Sequence, residues 1–214
     1  MCIKSLITCL SLLGSVPLFA LTAKSAAPER SSLRITIHVY NYSAVSTKAL
    51  ASAKDEGKQI FKHAGLSVTW IDVDLNGGGR RNPQNSPDSW DETHIVLRIL
   101  NQGRPGLVTD AAGEALHLQR IANVFLDRVA SLSEEGEISI GQFLGNVIAH
   151  EIGHLLLGPN SHGGLGIMAA RWSKQDIWRM SGGGLRFTPR EIQQMQAKVK
   201  RPNLSQAVQV TRVP

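Results

Sequence analysis

The sequence predicts an α+β fold, and three observations carry that reading. Residues 33–40 alternate strictly, with Leu33, Ile35, Ile37 and Val39 on one side and Arg34, Thr36, His38 and Tyr40 on the other. A period of two is the mark of a half-buried strand. Residues 139–157 are apolar almost all round, so a helix there must be enclosed by other elements. Between and after these lie further short apolar runs and a polar helical stretch, giving the order β-α-β-β-(β)-β-α-loop-α. The chain has 214 residues and is 42% hydrophobic, enough to bury a core, which excludes general disorder.

Taken in order, the strand at 33–40 is followed by residues 43–64, rich in Ala, Lys, Asp and Glu and closed by Gly65, a helix with a glycine stop. Residues 66–73 form a second strand. Residues 76–91 contain Gly77, Gly78, Gly79 and two prolines and read as a surface loop. Residues 94–100 make a third strand, 115–118 a short edge strand, and 121–127 a further strand. Ser139 can cap the buried helix, with Gln142 in capping-box position, and Gly158-Pro159 stops it. A Gly-rich stretch leads to a polar helix over 188–200, with Pro189 near its start.

Residues 1–23 read as a signal peptide. Lys4 supplies the positive end, an apolar run follows, and Ala20 and Ala23 are small residues suited to cleavage. The run is broken by Gly14 and Pro17, and no later stretch is long enough to span a membrane. The expectation is a secreted or periplasmic protein with no stable membrane insertion after signal removal. Both cysteines, Cys2 and Cys9, fall inside that segment, so the exported chain would hold no disulfide. Packing, or a metal, must then stabilise it.

The chemistry concentrates in His150-Glu151-Ile152-Gly153-His154. On a helix, residues four apart share a face about 6 Å apart, so two imidazoles can hold one zinc ion from the same side. Glu151, one residue along, sits beside such a metal and can take a proton from metal-activated water. A zinc hydrolase generally has three protein ligands and one open position. His162 is the candidate third ligand, with Gly158, Gly163 and Gly164 letting the chain turn back. Asp176 is the only acid between Glu151 and Glu191, and it is the alternative.

The run from His150 through Gly158 to His162, followed by Gly166-Ile167-Met168, resembles the metzincin zinc peptidases, matrixins most of all. The resemblance implies a twisted mixed sheet packed on a long active-site helix, with a small C-terminal helical subdomain. It implies a single zinc-metallopeptidase-like catalytic domain over 24–214. It also implies that His150, His154 and His162 bind Zn2+, that Glu151 is the general base, and that Met168 turns beneath the metal. The spacing departs from the family: Gly158 comes four and His162 eight residues after His154, later than usual. No tyrosine follows Met168; Ala169 and Ala170 stand there. With Asp176 as ligand the arrangement would resemble the aspzincins instead.

The expected activity is therefore zinc-dependent endopeptidase hydrolysis of a protein or peptide substrate by a monomer. The alternative is a non-catalytic exported binding or scaffold protein with a structural zinc site. Hydrolysis of a non-peptide amide would use the same residues. His38, His63, His94 and His117 read as ordinary surface or satisfied histidines, with His117 nearest an edge strand that lines the groove in the resembling family. Asp72, Asp74, Asp88 and Asp91 fit no calcium-loop spacing. The net charge is +6, and residues 170–214 hold nine Lys or Arg against Asp176 and Glu191. That excess could hold the protein weakly near anionic surfaces. No aromatic–basic interleaving or recognition module supports nucleic-acid binding.

Overall fold

The computed structural model describes residues 33–43, 45–75, 90–103 and 111–200. The signal segment with Cys2 and Cys9, most of the 76–91 loop including Asp88, and the basic tail beyond 200 lie outside the described residues.

The described residues form ten elements: β1 (Leu33–Asn41), α1 (Thr47–His63), β2 (Leu66–Asp72), β3 (His94–Leu100), β4 (Gly113–Leu116), β5 (Ile121–Phe125), α2 (Leu126–Glu135), α3 (Ile140–Leu157), α4 (Lys174–Ser181) and α5 (Pro189–Lys200). The five strands form one mixed sheet in the order β2-β1-β3-β5-β4. The pairs β1/β2, β1/β3 and β3/β5 are parallel, and β4 runs antiparallel to β5 at the edge.

The alternation read from the sequence sets which face meets the core. Ile35, Ile37 and Val39 are buried, as are Ile95, Leu97 and Ile99 on β3 and Ala122 and Val124 on β5. In register Ile37 lies beside Ile95, and Val39 beside Leu97. One apolar face thus spans three parallel strands. Each such branched side chain contributes roughly 1.5–3 kcal/mol through burial.

α3 is apolar all round because neighbours enclose it. Against α1 the approach is close enough that side chains are excluded. A Cβ on Gly145 would fall 2.7 Å from the Ala53 carbonyl oxygen, and one on Gly141 would fall 2.6 Å from Ser52 Cβ. Ser139 caps the helix by accepting from the Gln142 N–H at 3.3 Å. The reciprocal half of the expected box is absent: Gln142 Oε1 accepts from the Ser139 hydroxyl, not from its backbone. Gly158 ends the helix at φ 108°, a conformation closed to other side chains without strain.

The structure differs from the sequence expectation in two helices and several boundaries. The 121–127 strand ends at Phe125, where the chain enters α2 directly. α2 faces the core through Val129 and Ser133 and has no side-chain cap. α4 interrupts what read as a Gly-rich stretch, and its signal is a full capping box between Ser173 and Asp176. β4 lies at Gly113–Leu116, slightly before the expected 115–118. α1 starts at Thr47, because Ser46 accepts from the Ala49 N–H and fixes the first turn there.

Candidate metal centre

α3 carries His150 and His154 one turn apart, with ring centroids separated by 4.7 Å and planes nearly perpendicular at 82°. Each ring has a partner on its inner nitrogen. His150 Nδ1 donates to the Ile167 carbonyl oxygen at 2.7 Å. His154 Nδ1 shares a hydrogen bond with Ser161 Oγ at 2.9 Å. A neutral imidazole holds one N–H, so His150 Nε2 is left with a lone pair, and His154 Nε2 is too when its Nδ1 carries the proton.

Those lone pairs converge. His154 Nε2 stands 3.1 Å from His150 Nε2 and 3.1 Å from His162 Nε2. The ligating atoms of the three residues all lie within 4.8 Å of one another. Tetrahedral zinc with Zn–N bonds of ~2.0–2.1 Å sets its nitrogens about 3.3 Å apart, close to the spacing found here. Facing lone pairs at this distance repel unless a cation lies among them. The three-histidine group therefore fits zinc in donor type, number and spacing.

His162 is exposed and reaches the group by the return of the chain after α3. Gly158 at φ 108° and Asn160 at φ 59° make that reversal. Asparagine tolerates the left-handed region better than most residues. The next turn is tied by backbone bonds. The Gly163 N–H donates to the Met168 carbonyl at 2.7 Å, Ala169 N–H to Gly166 at 3.2 Å, and Ile167 N–H to Arg186 at 3.0 Å. Met168 is fully buried at 0% exposure, and its sulfur lies against Gly153 of the motif helix. Trp172 closes the inner side. Its indole N–H reaches the Gly166 and Ile167 carbonyls at 3.3 Å each, and its ring meets His150 edge-on at 5.6 Å.

Burial and neighbouring imidazoles keep the helix histidines unprotonated. His150 is lowered to about 4, chiefly by burial, against the opposing bond to Ile167 and with help from His162. His154 is lowered to about 3 by burial, then by His150, His162 and His117. Glu151 is only 6% exposed. Burial first, and the Glu114 carboxylate second, push its carboxyl up to about 8. Its side chain packs on the edge strand: a Cβ on Gly113 would lie 2.7 Å from Glu151 Cγ. A divalent cation beside such a carboxyl would favour its charged form.

Asp176 does not join this group. Its carboxylate accepts from Ser173 N at 2.9 Å and Ser173 Oγ at 2.6 Å, and Arg179 Nη1 donates to it at 3.3 Å. The Ser173 bonds lead in holding its pKa below the ordinary carboxylate value. His38 and His94 meet on the other face of the sheet, Nε2 to Nδ1 at 3.0 Å, and His38 stacks on Trp90 at 3.8 Å. His63 donates to the Gln59 carbonyl at 2.7 Å. His117, in the turn after β4, is the one histidine outside the three that His154 senses electrostatically. Asp72 pairs with Lys54, and Asp91 accepts from Thr93. Sequence reasoning missed Ser161, Gly113 and Glu114, whose places beside the site arise from tertiary packing and leave no local signal.

No family model and no curated protein matches the sequence. Among solved structures, a zinc-dependent peptidase from Methanocorpusculum labreanum is 18% identical with a TM-score of 0.51, covering 74% of this chain and 99% of its own. Archaemetzincin from Methanopyrus kandleri is 17% identical with a TM-score of 0.47, covering 82% and 100%. Archaemetzincin from Archaeoglobus fulgidus, complexed with malonate, is 17% identical with a TM-score of 0.45, covering 75% and 99%. What the chain shares with the M. labreanum peptidase is its fold, and the expected mixed-sheet α+β class is the one observed.

Proposed function

We propose that the protein is an exported zinc-dependent endopeptidase acting on protein or peptide substrates as a monomer, with His150, His154 and His162 as metal ligands and Glu151 as general base. The observation that carries this reading is the convergence of three Nε2 atoms, with the buried Glu151 adjacent to His150 on the same helix. The matrixin-like refinement rests on the run from His150 to His162 and on Met168 packed beneath the motif helix. Zinc bound there would supply a Lewis acid that polarises a carbonyl and makes water more acidic. Ile167 and Ser161 hydrogen-bond Nδ1 of the two helix imidazoles and so keep Nε2 turned towards the site. Glu151 accepts the proton of the attacking water and delivers it to the departing amine. β4 is an edge strand of the sheet among the described residues and lies beside Glu151, so an extended peptide would lie along it. Exposure of His162 leaves the centre open on one side, which favours catalysis over a closed structural site.

The test is Glu151→Gln, nearly isosteric and unable to accept that proton. Zinc content and fold should be retained, while hydrolysis of a broad mixture of unfolded proteins and peptides falls by at least ~10²–10⁴-fold. Equal activity in the two proteins would remove Glu151 from the mechanism. Zinc bound with no turnover in either would transfer the assignment to a non-catalytic zinc-stabilised binding or scaffold protein.

A further inference from the structure

The three imidazoles are anchored unequally. His150 is fixed by the Ile167 carbonyl and by the edge of Trp172. His154 is fixed by Ser161. His162 is exposed, and its Nδ1 has no hydrogen-bond partner among the described residues. Its position is set instead through its two chain neighbours. On one side the Gly163 N–H is bonded to Met168 at 2.7 Å. On the other the Ser161 hydroxyl reaches His154 at 2.9 Å.

The geometry points to Ser161 as a positioning residue for the metal centre, acting on two ligands at once. By its hydrogen bond with His154 Nδ1 it holds that ring with Nε2 towards the site. By the same bond it docks the returning chain on α3, so that the next residue, His162, faces His154. The long connection between His154 and His162 thus carries its own clamp. Without the hydroxyl, His154 loses its orienting partner and His162 keeps only the Gly163 tie.

This inference rests on the zinc reading above, and its test reads metal rather than turnover. Zinc affinity is measured by competition with a chromophoric chelator on the wild type, Ser161→Ala and Ser161→Thr. Partners of this kind are typically worth 10–100-fold in metal affinity, so Ser161→Ala should bind zinc about that much more weakly. Ser161→Thr, which keeps the hydroxyl, should stay near the wild type. Cobalt(II) at saturating concentration gives the second readout. The wild type and Ser161→Thr should show the intense visible absorption of tetrahedral coordination, and Ser161→Ala should lose part of it as His162 comes free. Thermal melts of the zinc-free proteins check that Ser161→Ala folds. Equal zinc affinity in the wild type and Ser161→Ala overturns the inference, as does an unchanged cobalt spectrum in Ser161→Ala. A wild type that takes up no zinc sinks the zinc reading itself, a distinguishable result.

Discussion

Gly153→Ala sets two known effects against each other inside the motif helix. Alanine in place of glycine within a helix should stabilise by about 1 kcal/mol through propensity alone. The structure opposes that gain. A Cβ on residue 153 would lie 2.4 Å from Met168 Sδ and 3.0 Å from Phe187 Cε1. To regain an ordinary contact of ~3.5 Å, the methionine sulfur would have to retreat by about 1.1 Å. Met168 is fully buried and Phe187 nearly so, which leaves little room for that retreat. Overpacking of this kind costs about 1–3 kcal/mol, so the net expectation is a loss of roughly 0–2 kcal/mol. For a domain of this size each kcal/mol lowers Tm by about 2–4 °C. Met168 is also next to Ile167, whose carbonyl orients His150 at 2.7 Å, so zinc affinity should fall with stability. Thermal melts with and without zinc, and a chelator competition, test both effects. A Gly153→Ala protein that melts higher than the wild type and binds zinc equally well would refute the packing argument.

Asp176→Ala should leave zinc stoichiometry unchanged and cost about 1 kcal/mol by removing the α4 capping box, read by metal analysis and denaturant melts; loss of zinc would return Asp176 to the ligand set. In the zinc-free protein, Glu151 is raised from 4.5 to about 8, so its contribution to stability is complete below 4.5 and is lost as pH rises through 8. Glu151→Gln cannot suffer that loss, so its Tm advantage over the wild type should be larger at pH 8 than at pH 5, and a constant difference would contradict the burial argument. His150 and His154 have the opposite sign. Their contributions are present above 6.5 and lost as pH falls through about 4 and 3, so the zinc-free Glu151→Gln protein should weaken steadily on acidification.

The legible parts of the sequence were those governed by local period and local chemistry. β1 announced itself because its apolar face is continuous, and α3 because its ends carry Ser139 and Gly158. The histidine pair was readable because helical spacing alone puts the two rings on one side. α2 was not, since no side chain caps it and it follows β5 without a turn. Asp176 reads from the sequence as an acid near a metal motif, whereas its hydrogen bonds three residues back to Ser173 place it in the capping box of α4. The seating of Glu151 against Gly113 joins residues 38 positions apart and has no signature in either segment.

The strand order has a kinetic consequence. β1 is the first described strand, yet it lies inside the sheet between β2 and β3. The β1-α1-β2 unit can form early, but β1 keeps a bare edge until residues 94–100 arrive. The apolar sheet face also lacks α3 until residues 140–157 follow. Pairing between such distant segments closes long loops and is slow. Until then the uncovered face is open to association with other chains. His150 and His154 lie on that covering helix, and His162 follows just beyond it. With zinc as the proposed ligand, the rate of metal uptake during refolding should follow the closing of α3 over the sheet.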